Sequence, residues 1–111
     1  MILCLEYLYR DAGNFKLFQK VYFFKRERDL GLNELLAEIE HYLIDGTDFI
    51  PELWGLPRLH FPVFDPELDH ERHEFFSLSE VEEAEGELRD WDMFMENVRE
   101  SGEKELNEIG D

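Results

Sequence analysis

Apolar and polar residues alternate from the first residue of the chain. Over residues 1–10, Leu3, Leu5, Tyr7 and Tyr9 occupy one period-two face, and Ile2, Cys4, Glu6, Leu8 and Arg10 the other. Alternation among β-forming residues predicts a strand with one buried face and one mixed face. Residues 11–14 (Asp-Ala-Gly-Asn) supply turn chemistry, since Gly13 and Asn14 both tolerate positive φ. Residues 15–25 then predict the returning strand of a hairpin, with Phe15, Leu17, Val21 and Phe23 on its apolar face and Lys16, Phe18, Lys20, Tyr22 and Phe24 opposite. After a charged connection the period lengthens. Leu32, Leu35, Leu36, Ile39 and Leu43 recur at helical spacing, Gly31 stands at the N-cap with Glu34 three residues on, and Asp45-Gly46 marks the stop.

Pro51, Pro57 and Pro62 break any long element over residues 47–64, yet Phe49, Ile50, Leu53, Trp54 and Leu56 are too apolar for a free loop. This stretch predicts a packed connection over one end of the core. Residues 58–64 form a third strand, at an edge or bulged because of Pro62, and residues 70–78 a fourth. From Ser79 the pattern turns helical again. Ser79 and Glu82 make a capping box, and Val81, Ala84, Leu88, Trp91, Met95 and Val98 step by threes and fours. The pattern predicts a helix over residues 79–100, about 30 Å long, with Gly86 on its outer side. Ser101-Gly102 would end it and residues 103–111 would fray. The fold class is therefore α+β: a small antiparallel sheet of about four strands in the order ββαββ, one packed helix and a long acidic C-terminal helix. Residues 1–78 form the compact core, and 79–111 complete the same single domain.

Charge changes this picture more than length does. The chain has 111 residues, 43% of them apolar and 14% aromatic, enough for one modest core, and a net charge of −17. Residues 1–64 contribute −3 and residues 65–111 contribute −14. Such a field repels nucleic acid and anionic membranes and attracts basic proteins. The single cysteine, Cys4, permits no internal disulfide and fits a reducing cytoplasm; its apolar neighbours make it a buried, inert thiol. Neither a signal peptide nor a membrane span is evident.

The sequence offers little catalytic chemistry. His70 and His73, with His60, Asp69, Glu71 and Glu74, are ligand types for zinc, iron or manganese. A zinc-protease motif would need histidine at position 74, where Glu74 stands, and on a strand His70 and His73 face opposite ways. Hydrogen-bonded structural histidines are the expectation. No phosphate-cradling glycine loop or nucleophile elbow occurs, and Arg10 with Asp11 reads as a local pair at the hairpin turn.

Five segments, Tyr9-Arg10-Asp11-Ala12-Gly13-Asn14, Ile44-Asp45-Gly46, Phe49-Ile50-Pro51, Gly55-Leu56-Pro57 and Asp69-His70-Glu71-Arg72-His73-Glu74-Phe75, together resemble a group of small bacterial proteins of no established activity. The resemblance covers about residues 5–76 and implies a compact bacterial or phage module without a catalytic residue. The acidic region beyond residue 79 lies outside it.

On a helix over 79–100, Glu80, Glu83, Glu87 and Asp90 would form one acidic ridge, with Trp91 and Phe94 as apolar anchors. Carboxylates on successive turns lie about 5–6 Å apart. The expected function is a non-enzymatic, cytoplasmic interaction protein that needs no cofactor. It would bind or inhibit a basic, nucleic-acid-binding protein as a nucleic-acid mimic, in bacterial defence or counter-defence. Two alternatives stand beside it: a metal-dependent enzyme using His60, His70 and His73, and a structural homodimer paired through the 79–100 seam.

Overall fold

The computed structural model describes residues 1–62 and 71–109, with side chains through Gly102. The chain runs β1 (Ile2–Arg10), β2 (Lys16–Phe24), α1 (Leu32–His41), β3 (Asp48–Phe49), a 3-10 turn (Pro51–Trp54), β4 (His73–Val81), β5 (Leu88–Asp90) and α2 (Trp91–Ile109). The five strands form one mixed sheet in the order β3-β4-β1-β2-β5. All neighbours are antiparallel except β2 and β5, which run parallel.

The hairpin follows its sequence pattern. Leu3, Leu5 and Tyr7 are fully buried and Tyr9 nearly so, and Val21 and Phe23 lie beside them from β2. At the turn, Asn14 takes the positive φ that its side chain tolerates. Arg10 does not pair with Asp11. Its guanidinium grips both carboxylate oxygens of Glu74 on β4, at 2.7 and 3.2 Å, while Asp11 accepts the Phe15 N–H. Two-pronged contact of this kind is geometrically selective, so the pair fixes the β1–β4 register. Helix α1 begins as expected: the Gly31 N–H donates to the Glu34 carboxylate, and Leu35 and Ile39 are buried against the sheet. It ends at His41, and the left-handed Asp45-Gly46 pair instead builds the turn that brings Asp48 back to Ile44.

Further sequence expectations are overturned. Among the described residues the sheet has five strands, not four, and is mixed rather than antiparallel, because the two-residue β3 and three-residue β5 are too short to leave a period. Residues 58–62 are not a strand, and positions 63 and 64 lie outside the described residues. Above all, residues 79–90 are not helical. Ser79 sits in β4 opposite Cys4, so no capping box forms at Ser79, and the division at residue 78 falls inside a strand. Seven register pairs to β1, with a bulge at Phe76, hold β4 extended as far as Val81.

Since β4 and β5 flank the β1–β2 pair, residues 82–87 must cross two strands. They cross on the side of the sheet that carries Cys4 and Tyr22, each only 7% exposed; Gly86 lies against the Tyr22 ring, and burial, with the Glu85 carboxylate near its hydroxyl, raises the phenol pKa. Burial is the main cause that raises the Cys4 thiol pKa, which keeps it protonated and unreactive. A helix here would set like charges at i, i+3 and i, i+4 around Gly86. The crossover leaves them in water instead.

Helix α2 starts at Asp90, whose Oδ1 accepts the Met93 N–H at 3.0 Å in N-cap geometry. It buries Trp91, Phe94, Met95 and Val98, spaced i, i+3, i+4 and i+7, against the sheet face opposite the crossover. Phe23 meets Phe94 and Trp91 at ring separations of 4.4 and 5.4 Å. Ser101-Gly102 does not end the helix, because both residues are packed rather than solvated. The Ser101 hydroxyl donates to the Val98 carbonyl and accepts the Trp54 indole N–H, and Gly102 lies where a Cβ would stand 2.9 Å from Tyr42.

Lys25 is 5% exposed, and its ammonium donates to Asp29 at 2.8 Å and to the Glu27 carbonyl. The Lys25 hydrogen bond is the first cause that holds the Asp29 carboxyl below its ordinary value. A depressed carboxylate contributes stability that is complete above the unfolded value, about 3.9, and is lost as pH falls through the folded one. Asp29→Asn is therefore expected to lower the melting temperature at pH 7, with the gap to the parent closing below about pH 3.9. Thermal scans across pH check this.

Candidate functional site

The crossover is the most acidic feature described. Glu82, Glu83, Glu85 and Glu87 occupy four of its six positions and all are exposed. It spans three inter-strand spacings, roughly 14 Å at about 4.8 Å each. Among the described residues none of the four has an ion-pair partner within 4.0 Å. Asp90, Asp92, Glu96 and Glu100 continue the acidic surface along the exposed side of α2.

The six residues expected to form one helical ridge are thus distributed otherwise. Glu80 is on β4 and pairs with Arg28 at 3.3 Å, which removes it from an uncompensated surface. Glu83 and Glu87 lie on the crossover, and Asp90 caps α2. Trp91 and Phe94, 2% and 5% exposed, belong to the core and cannot anchor a partner. Trp91, Met95 and Val98, half of the seam through which two copies would pair, are packed on their own sheet instead.

Apolar surface nearby comes from residues outside that list. Phe24, Leu88 and Met93 are 45%, 47% and 66% exposed. Register places Leu88 opposite Tyr22 and Asp90 opposite Phe24, which sets the acids beside the exposed side chains. Sequence hinted at this, since Phe24 falls on the mixed face of its strand and Met93 off the α2 stripe.

Two hollows flank Met93. One, about 250 Å³, lies between β5, the first turns of α2 and the 3-10 turn; Glu87, Asp90 and Phe94 all line it. The other, about 400 Å³, is lined by Phe24, Arg26, Glu27, Asp90, Asp92 and Met93. Asp90 is common to both.

Two of the three candidate histidines, His60 and His73, lie among the described residues. His73 is fully buried. Its Nε2 accepts the Leu59 N–H at 2.9 Å and its Nδ1 lies 3.1 Å from the Glu71 carbonyl, to which it donates; the ring is the neutral Nδ1–H tautomer. His60 is exposed and His70 lies outside the described residues. Among the described residues no three His, Cys, Asp or Glu side chains are grouped to hold a metal ion, and no helix is long and apolar enough to cross a membrane. Comparison with family models, curated proteins and solved structures finds no match.

Proposed function

We propose that the protein is a non-enzymatic acidic interaction module that captures a basic, nucleic-acid-binding protein and keeps it from its target, in bacterial defence or counter-defence. The observation that carries this reading is the crossover: four exposed carboxylates over roughly 14 Å, none with an ion-pair partner among the described residues. That is one charge per ~3.5 Å, close to the one per ~3.4 Å of a single DNA strand. The crossover is tied at both ends to strands and rests on Tyr22, so the backbone that carries its charges is ordered before a partner arrives. Preorganisation of this kind lowers the ordering cost of binding. Phe24, Leu88 and Met93 supply the apolar contact that charge alone lacks.

The reading is tested by titrating the intact protein with an arginine-rich peptide of about a dozen residues. Glu82→Lys with Glu83→Lys is expected to weaken binding at least tenfold, about 1.4 kcal/mol. Glu40→Lys with Glu52→Lys makes the same change in net charge at exposed sites elsewhere, and is expected to cost less than about threefold. Equal losses from the two pairs would mean that only overall charge matters, and would sink the proposal.

A further inference from the structure

We infer that the 250 Å³ cleft beside Met93 seats one arginine side chain of the basic partner, an inference that rests on the reading above. Its size excludes much else. Sites that engulf a small-molecule ligand run to about 300–1,000 Å³, so this one matches a single long side chain. Phe23, Trp54 and Phe94 back it as core residues, each 5% exposed or less, and Met93 is its exposed, flexible apolar wall.

Its charges suit a cation. Glu87 and Asp90 lie on its lining, and neither has an ion-pair partner within 4.0 Å among the described residues. Asp90 spends Oδ1 on the Met93 N–H, which leaves Oδ2 for a ligand. Arg89 also lines the cleft, but its Nη1 donates to the Gly55 carbonyl at 2.8 Å, and among the described residues it makes no ion pair within 4.0 Å with either carboxylate. Gly55 itself is left-handed, with φ 73°, and the Asn97 amide lies 3.0 Å from where a Cβ would stand, so the wall admits no larger residue. The positive end of α2 opposes a cation here, and the carboxylates of Asp90 and Asp92 in its first turn offset that. A guanidinium fits better than an ammonium: its weakly hydrated plane can lie along Met93, and its five donors reach two carboxylates at once.

The test follows the Met93 methyl, Gly55 amide and Trp54 indole resonances of the intact protein during titration with N-acetyl-arginine amide. The expected result is saturable, millimolar-range shifts at all three. The isosteric but neutral citrulline amide should give none, and Glu87→Gln should weaken the arginine response at least threefold. The Glu82→Lys, Glu83→Lys protein should keep that response. Shifts confined to residues 82–87, equal shifts from citrulline or lysine amide, or an unchanged response in Glu87→Gln would each overturn the assignment. The two readings fail separately. Peptide capture at the crossover with a silent Met93 removes the cleft alone, whereas a Met93 response with no crossover-dependent capture removes the proposed function alone.

Discussion

Replacing Trp91 by alanine is expected to cost about 3–5 kcal/mol, the range for truncating a large buried aromatic, and to leave much of the protein unfolded at ambient temperature. Trp91 is 2% exposed and sits at the start of α2, with its ring edge-on to Phe23 and against Phe94. Phe23 in turn belongs to the central hairpin, and Phe94 touches Trp54 of the 3-10 turn. One truncation therefore loosens three elements, and the resulting cavity cannot close without moving α2 off the sheet. Met93→Ala, two residues along, removes an exposed side chain and is expected to change stability by no more than about 0.5 kcal/mol. Urea denaturation of both variants measures the contrast. A Trp91→Ala protein with the parent midpoint would mean that the indole does not pack on the sheet, and would restore it as a candidate partner anchor.

The Trp91–Met93 contrast also shows where sequence pattern stops informing. A stripe stepping by threes and fours identified Trp91, Met95 and Val98 as one face of a helix, but a stripe does not say what it packs on. Strands β1 and β2 were legible because their alternation is local and each is nine residues long. Helix α1 was legible because Gly31 and Glu34 mark its start within four residues. The error at 79–90 had a different origin. Val81, Ala84 and Leu88 match helical steps by coincidence, and the force that keeps 79–81 extended is pairing with β1, more than seventy residues away in the chain. No local window contains that contact. The true start was nonetheless written locally: Asp90 before an apolar stripe, with Asp92 in the first turn, is a helix N-terminus signal. Part of the acidic surface was legible as composition, but its shape was not, because β5 is three residues long and forms a parallel pair that leaves no alternation to read.

His73→Leu is expected to destabilise the fold by about 2–4 kcal/mol while keeping its apolar packing, since it orphans two backbone groups at once. The Leu59 N–H loses its acceptor and the Glu71 carbonyl its donor. Leucine fills similar space between the rings of Tyr7 and Tyr9, which lie 6.0 and 5.0 Å from the imidazole, so the cost reports the polar groups more than a cavity. The loss should also be local in character. The Leu59–His73 bond and the 2.6 Å bond from the Tyr7 hydroxyl to the Pro57 carbonyl both tie the segment after the 3-10 turn to the sheet. With the first cut, amide exchange at Leu59 should accelerate well beyond that at Leu5 or Phe23 in the same variant. The same geometry weighs against His73 as a metal ligand, because its Nε2 lone pair is already occupied and an ion would have to strip the Leu59 bond before binding. If His73→Leu keeps the parent stability and Leu59 protection, the imidazole is not the bridge between these segments, and a ligand role for it becomes open again.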